Sequence, residues 1–130
     1  MSVVLSSVES GISIIRLNRP EAYNAMSDEL QEQLYDSVTK AVQDPAVRVI
    51  VMTGEGKAFC AGGDVKKFGE RQLDLFTYRK HLTRMNELVK MLYDTPKPVI
   101  CAVNGYAVGA GLSLALCGDL ILCTNQAKFS

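Results

Sequence analysis

The chain has 130 residues, with 14 Lys+Arg against 14 Asp+Glu, a formal net charge of zero. Apolar residues make up 48% and charged residues 22%, ordinary globular usage. A zero balance argues against nucleic-acid binding by counterion release, and no apolar run approaches the ~20 residues of a membrane span.

In chain order, residues 2–7 and 11–17 are two β-type runs around Glu9-Ser10-Gly11, a hairpin signal. Asn18-Arg19-Pro20-Glu21 breaks that pattern. Ser27 reads as a helix N-cap with Asp28 and Glu29 in the first turn. Leu30, Leu34, Val38 and Ala41 recur at helical spacing, and Pro45 stops the helix near Asp44. Residues 47–52 predict a buried strand, followed by a loop through Lys57 and a short extended piece over 58–64. Leu75, Leu82, Met85, Val89 and Leu92 predict an amphipathic helix over 72–93. Residues 99–103 form another strand, Gly109-Ala110-Gly111 opens a helix through Leu116, and strands follow at 120–123 and 127–129. Alternating strands and helices predict an α/β fold with a largely parallel sheet covered on both faces. No internal repeat is visible. The chain reads as one domain, 1–130, and as a fragment, since it stops just as a strand begins.

Cys60, Cys101, Cys117 and Cys123 make no C-x-x-C pair, and His81 is the only histidine, so the sequence offers no Cys/His zinc site. The thiols are expected to be reduced. The N-terminus carries no secretory pattern, and a cytoplasmic location is expected. His81 on the long helix reads as a surface or interface residue.

Phosphate-loop patterns fail. Gly56-Lys57 is followed by Ala58, leaving no hydroxyl for Mg²⁺, and the third glycine of a dinucleotide fingerprint from Gly109 is Leu114. Two glycine turns remain, Ala61-Gly62-Gly63-Asp64 and Gly109-Ala110-Gly111, each following an apolar strand. Glycine permits positive φ and close packing there. It also leaves backbone N–H groups open to a ligand oxygen, with a helix start at Ala110 adding positive character. Together the turns describe a pair of main-chain donors of the kind that stabilises an oxyanion.

Three ordered blocks, residues 18–26 (NRPEAYNAM), 56–68 (GKAFCAGGDVKKF) and 96–120 (PKPVICAVNGYAVGAGLSLALCGDL), resemble the enoyl-CoA hydratase/isomerase (crotonase) superfamily, N-terminal part. The resemblance implies a crotonase-like spiral of ββα units, truncated at the C-terminus, that binds an acyl-CoA thioester. It implies catalytic oxyanion donors at the N–H groups of Gly63 and Ala110. It implies substrate binding by Ala22, Ala61, Gly63, Asp64, Val65, Lys66 and Ala110, no cofactor beyond the CoA of the substrate, and a trimer or hexamer. Many hydratases of the family carry a glutamate where this sequence has Ser113, so an isomerase with a single downstream carboxylate ranks above a hydratase. The alternative is a non-catalytic or truncated CoA-binding or assembly homologue. Tyr106 could pack on the thioester, and Lys57, Lys66 and Lys67 could meet CoA phosphates. Asp64 reads as a helix cap, Asp119 as a turn or subunit contact, and the long helix with Phe76 as a wall of the acyl pocket.

Overall fold

The computed structural model describes residues 2–63 and 75–130. Strands β1 (Val4–Glu9) and β2 (Ile12–Leu17) form an antiparallel hairpin. Ser10 and Gly11 both take positive φ, 53° and 81°, which matches a two-residue turn to the strand twist. A single 3₁₀ turn, Pro20–Ala22, leads to helix α1 (Asp28–Gln43). Ser27 caps α1 as the sequence predicts: its hydroxyl accepts the Leu30 N–H at 3.1 Å. The helix ends where Asp44 turns extended before Pro45.

Strand β3 spans Val49–Gly54, two residues later than the apolar run suggests. Val47 closes the turn after α1 through its bond to Asp44, while Arg16 and Leu17 of β2 draw Thr53 and Gly54 into the ladder. β4 (Ala58–Cys60) is followed, among the described residues, by α2 (Leu75–Asp94). β5 (Val99–Val103) and β7 (Leu120–Cys123) fall where the sequence places them. Between them lie β6 (Tyr106–Ala107) and α3 (Ala110–Ala115), and β8 (Lys128–Phe129) comes last.

Two sheets result. The larger runs β1-β2-β3-β5-β7 and is parallel beyond the hairpin; the smaller, β4-β6-β8, is parallel throughout. Each large-sheet strand from β3 on hands the chain to a small-sheet strand, and a helix returns it after β4 and after β6. This ββα repeat exists in topology although no repeat is visible in the sequence.

The expectation of a sheet buried on both faces is corrected. Ile15, Leu17, Ile50, Met52, Val99, Cys101 and Val103 are buried on the face shared with Leu30, Leu34, Val38, Leu88 and Leu92 of the helices. The alternate residues Ile14, Val51 and Ile100 are only half-buried, and every side chain of β7 is exposed. An apolar run with β-branched residues on both sides of a strand does not reveal which side finds a neighbour.

Candidate functional site

The two glycine turns meet because backbone packs on backbone. A Cβ on Gly111 would lie 2.0 Å from the Cys60 carbonyl oxygen, and one on Gly105 would lie 1.8 Å from that of Lys57. Only glycine lets α3 and the turn before β6 lie this close to β4. Val108 N–H then donates to Cys60 at 3.1 Å. Gly62 takes φ +92°, and a Cβ there would stand 2.6 Å from the Val108 oxygen and 3.5 Å from the Ala110 nitrogen. Covalent geometry puts the Gly63 nitrogen one peptide bond further, within about 7 Å of the Ala110 nitrogen.

The amides where the two turns meet have two fates. The Gly62 N–H faces the buried Cys60 sulfur, whose pKa burial raises from an ordinary 9.0 to about 11. Gly63 forms an isolated parallel bridge with Met26, in which Met26 N–H donates to the Gly62 carbonyl at 2.6 Å. In that register the Gly63 N–H points away from Met26. Neither Gly63 N–H nor Ala110 N–H has an acceptor among the described residues, and both residues are half-buried. α3 has six residues, so it offers a donor more than a helix dipole.

Ala22 and Ala61 are half-buried neighbours through Tyr23, whose carbonyl accepts the Ala61 N–H at 3.0 Å. Asp64, Val65 and Lys66, together with Lys67, lie outside the described residues, as does any cap by Asp64. Ser113 stands on the exposed side of α3. Asp119 makes the expected turn: its carboxylate accepts Val99 N–H at 2.8 Å and its N–H donates to Val99 at 2.7 Å. Phe76 is 80% exposed, Lys57 is exposed, and Tyr106 meets Tyr23 edge-to-face at 6.5 Å. His81 is half-buried on α2, with Nδ1 3.0 Å from an Asp28 carboxylate oxygen.

Two asparagines escaped the sequence reading. Asn24, fully buried, accepts Arg19 N–H and donates to the carbonyls of Glu55 and Ala58. Asn104 accepts Gly54 N–H and donates to Gly56 and Ala58. Both amides converge on the Ala58 oxygen and pin the loop before β4, from which the Gly62–Gly63 turn projects. Their partners are main-chain groups 31 to 50 residues distant, except for Arg19. The nearest sequence signal was the Asn104-Gly105 pair, legible only as a turn.

The description "Enoyl-CoA hydratase/isomerase" belongs to the family model that matches residues 7–130. The chain belongs to the enoyl-CoA hydratase/isomerase family. It is 41% identical to the 1,2-epoxyphenylacetyl-CoA isomerase of Escherichia coli over 134 residues, covering 99% of this chain and 50% of that protein. It is 40% identical to the mitochondrial enoyl-CoA hydratase of Pongo abelii over 119 residues, 92% of this chain and 40% of the relative. Among solved structures, an enoyl-CoA hydratase/isomerase from Xanthobacter autotrophicus superposes with a TM-score of 0.92 at 31% identity, over 99% of this chain and 48% of that one. A Mycobacterium smegmatis enoyl-CoA hydratase gives 0.91 at 33%, over 98% and 50%. The chain thus spans about half the length of the curated relatives it matches, and its fold is the crotonase-like α/β core of this enoyl-CoA hydratase/isomerase family.

Proposed function

We propose that this family member binds an acyl-CoA thioester and holds its carbonyl oxygen between the N–H groups of Gly63 and Ala110, stabilising the enolate formed during isomerisation or hydration. The observation that carries this reading is the convergence of the two glycine turns on two amides without acceptors among the described residues. Proton removal from, or addition to, an enolisable thioester places negative charge on that oxygen. Preorganised backbone donors stabilise the charge selectively, because no side chain need reorganise as it develops. Ala22 and Ala61 lie along the path of the CoA arm, and no cofactor is required beyond the CoA of the substrate. The working enzyme is an oligomer.

Isomerisation is favoured over hydration by Ser113, which occupies an exposed α3 position without a carboxylate. The same residue supports a second reading, a CoA-binding homologue without turnover. Calorimetric titration separates these readings. Acyl-CoA should bind more tightly than free CoA, which lacks the carbonyl, and 3-enoyl-CoA should convert to 2-enoyl-CoA. Binding without conversion leaves the non-catalytic reading. Equal affinity for acyl-CoA and free CoA removes the oxyanion role.

A further inference from the structure

The Ala58 carbonyl, at the start of β4, is the meeting point of two side-chain amides with the same bonding pattern. Asn24 accepts Arg19 N–H at 2.8 Å and donates to the Glu55 and Ala58 oxygens at 3.0 and 2.9 Å. Asn104 accepts Gly54 N–H at 3.0 Å and donates to the Gly56 and Ala58 oxygens at 2.9 and 3.1 Å. Each amide thus uses its oxygen on one N–H and its nitrogen on two carbonyls, a set that an ionised aspartate cannot reproduce. Gly54 leaves the room: a Cβ there would stand 2.5 Å from the Ala58 oxygen and 2.9 Å from Asn24 Nδ2.

The two asparagines serve different glycine turns. Residues on either side of Asn24 hold the first: the Tyr23 carbonyl accepts Ala61 N–H at 3.0 Å, and Met26 N–H donates to Gly62 at 2.6 Å. Tyr23 and Asn24 reach those positions with φ of 53° and 56°, a left-handed pair that persists only where surrounding bonds over-determine it. Asn104 opens the segment that runs through β6 to Ala110, in which Val108 N–H donates to Cys60 at 3.1 Å.

We propose that Asn24 and Asn104 are paired positioning residues that set, through their shared hold on Ala58, the separation of the Gly63 and Ala110 amides. Both act through the main chain. The common oxygen makes a shift of either turn a shift in the spacing of the two donors. The ligand readout rests on the proposed function; the shared anchor does not.

The test compares wild type with Asn24→Gly, Asn104→Ala and the double variant. Glycine accepts left-handed backbone, so Asn24→Gly removes the amide without adding strain. The readout is the ratio of acyl-CoA affinity to free-CoA affinity by calorimetry, a quotient in which the folded fraction cancels. Val38→Ala, a truncation in the buried face of α1, controls for lost stability and should leave the ratio level. Each asparagine variant should lower the ratio by about fivefold, the scale of one hydrogen bond. The double variant should exceed the product of the two losses by about threefold or more, as residues of one network do. An unchanged ratio in either single variant, or a double variant at or below the product, overturns the pairing. Should a variant fail to fold, wild type decides: by reciprocity, saturating acyl-CoA should slow hydrogen exchange of both side-chain amides about fivefold more than free CoA does. Equal slowing by the two ligands overturns the proposal. A wild-type affinity ratio near one refutes the proposed function instead, and ligand-free exchange then judges the anchor. Protection of the Ala61 and Met26 amides should fall in Asn104→Ala, although Asn104 bonds to neither. Unchanged protection there overturns the shared anchor.

Discussion

Ala110 is the first residue of α3, a position that tolerates proline because its N–H has no intrahelical acceptor. Ala110→Pro therefore deletes one proposed donor while leaving the helix start intact. Turnover by the assembled enzyme should fall by ~10²-fold or more, the usual cost of one oxyanion donor, with far-ultraviolet circular dichroism unchanged. Gly62→Ala is a different lesion, since it places a methyl 2.6 Å from a backbone oxygen at φ +92°. It should cost about 1–3 kcal/mol in urea unfolding as well as acyl-CoA binding. Asn24→Ala takes away the acceptor of Arg19 N–H and the donor to Glu55, with Ala58 keeping its Asn104 donor, and should cost about 2 kcal/mol by the same measurement. The two glycine turns could be located from sequence because the constraint lies in their own residue types, whereas the choice of Gly63 and Ala110 within them came from the family resemblance. The asparagine clamp could not, because amide side chains show no preferred partner until distant carbonyls arrive.

At the scale of elements, burial of single residues along strands separates inert from reactive thiols. Burial pushes Cys60 up to about 11 and Cys101 up to about 12 from an ordinary 9.0. Both are neutral at physiological pH, so alkylation at pH 8 should label exposed Cys123 on β7 and spare Cys60 and Cys101 until the chain unfolds. The sign for stability follows. Folding favours the neutral thiols, so their contribution is full below pH 9 and is lost as pH rises through about 11 to 12. Thermal melts across pH 8 to 11 should fall more steeply for wild type than for Cys60→Ala. Strands β5 and β7 were legible to the residue because each is a short apolar run between turn signals. The start of β3 was not, since Val47 is apolar and buried yet belongs to the turn after α1.

At the scale of the molecule, the ββα repeat explains how segments 48 residues apart, as Ala58 and Tyr106 are, reach one place: successive β4 and β6 lie side by side, so the turns that follow them meet. Alternation of strand and helix signals was enough to read an α/β parallel fold. It did not reveal that one face of the large sheet is half-exposed, since apolar residues fill both sides of β2, β3 and β5. The proposed function requires the thioester oxygen to lie between two amides, and nitrogen-15 chemical shifts observe those amides directly. Titration with an acyl-CoA should move the Gly63 and Ala110 resonances together and saturably, with free CoA moving them much less. If acyl-CoA binds and those two resonances stay in place while others shift, the oxyanion site lies elsewhere.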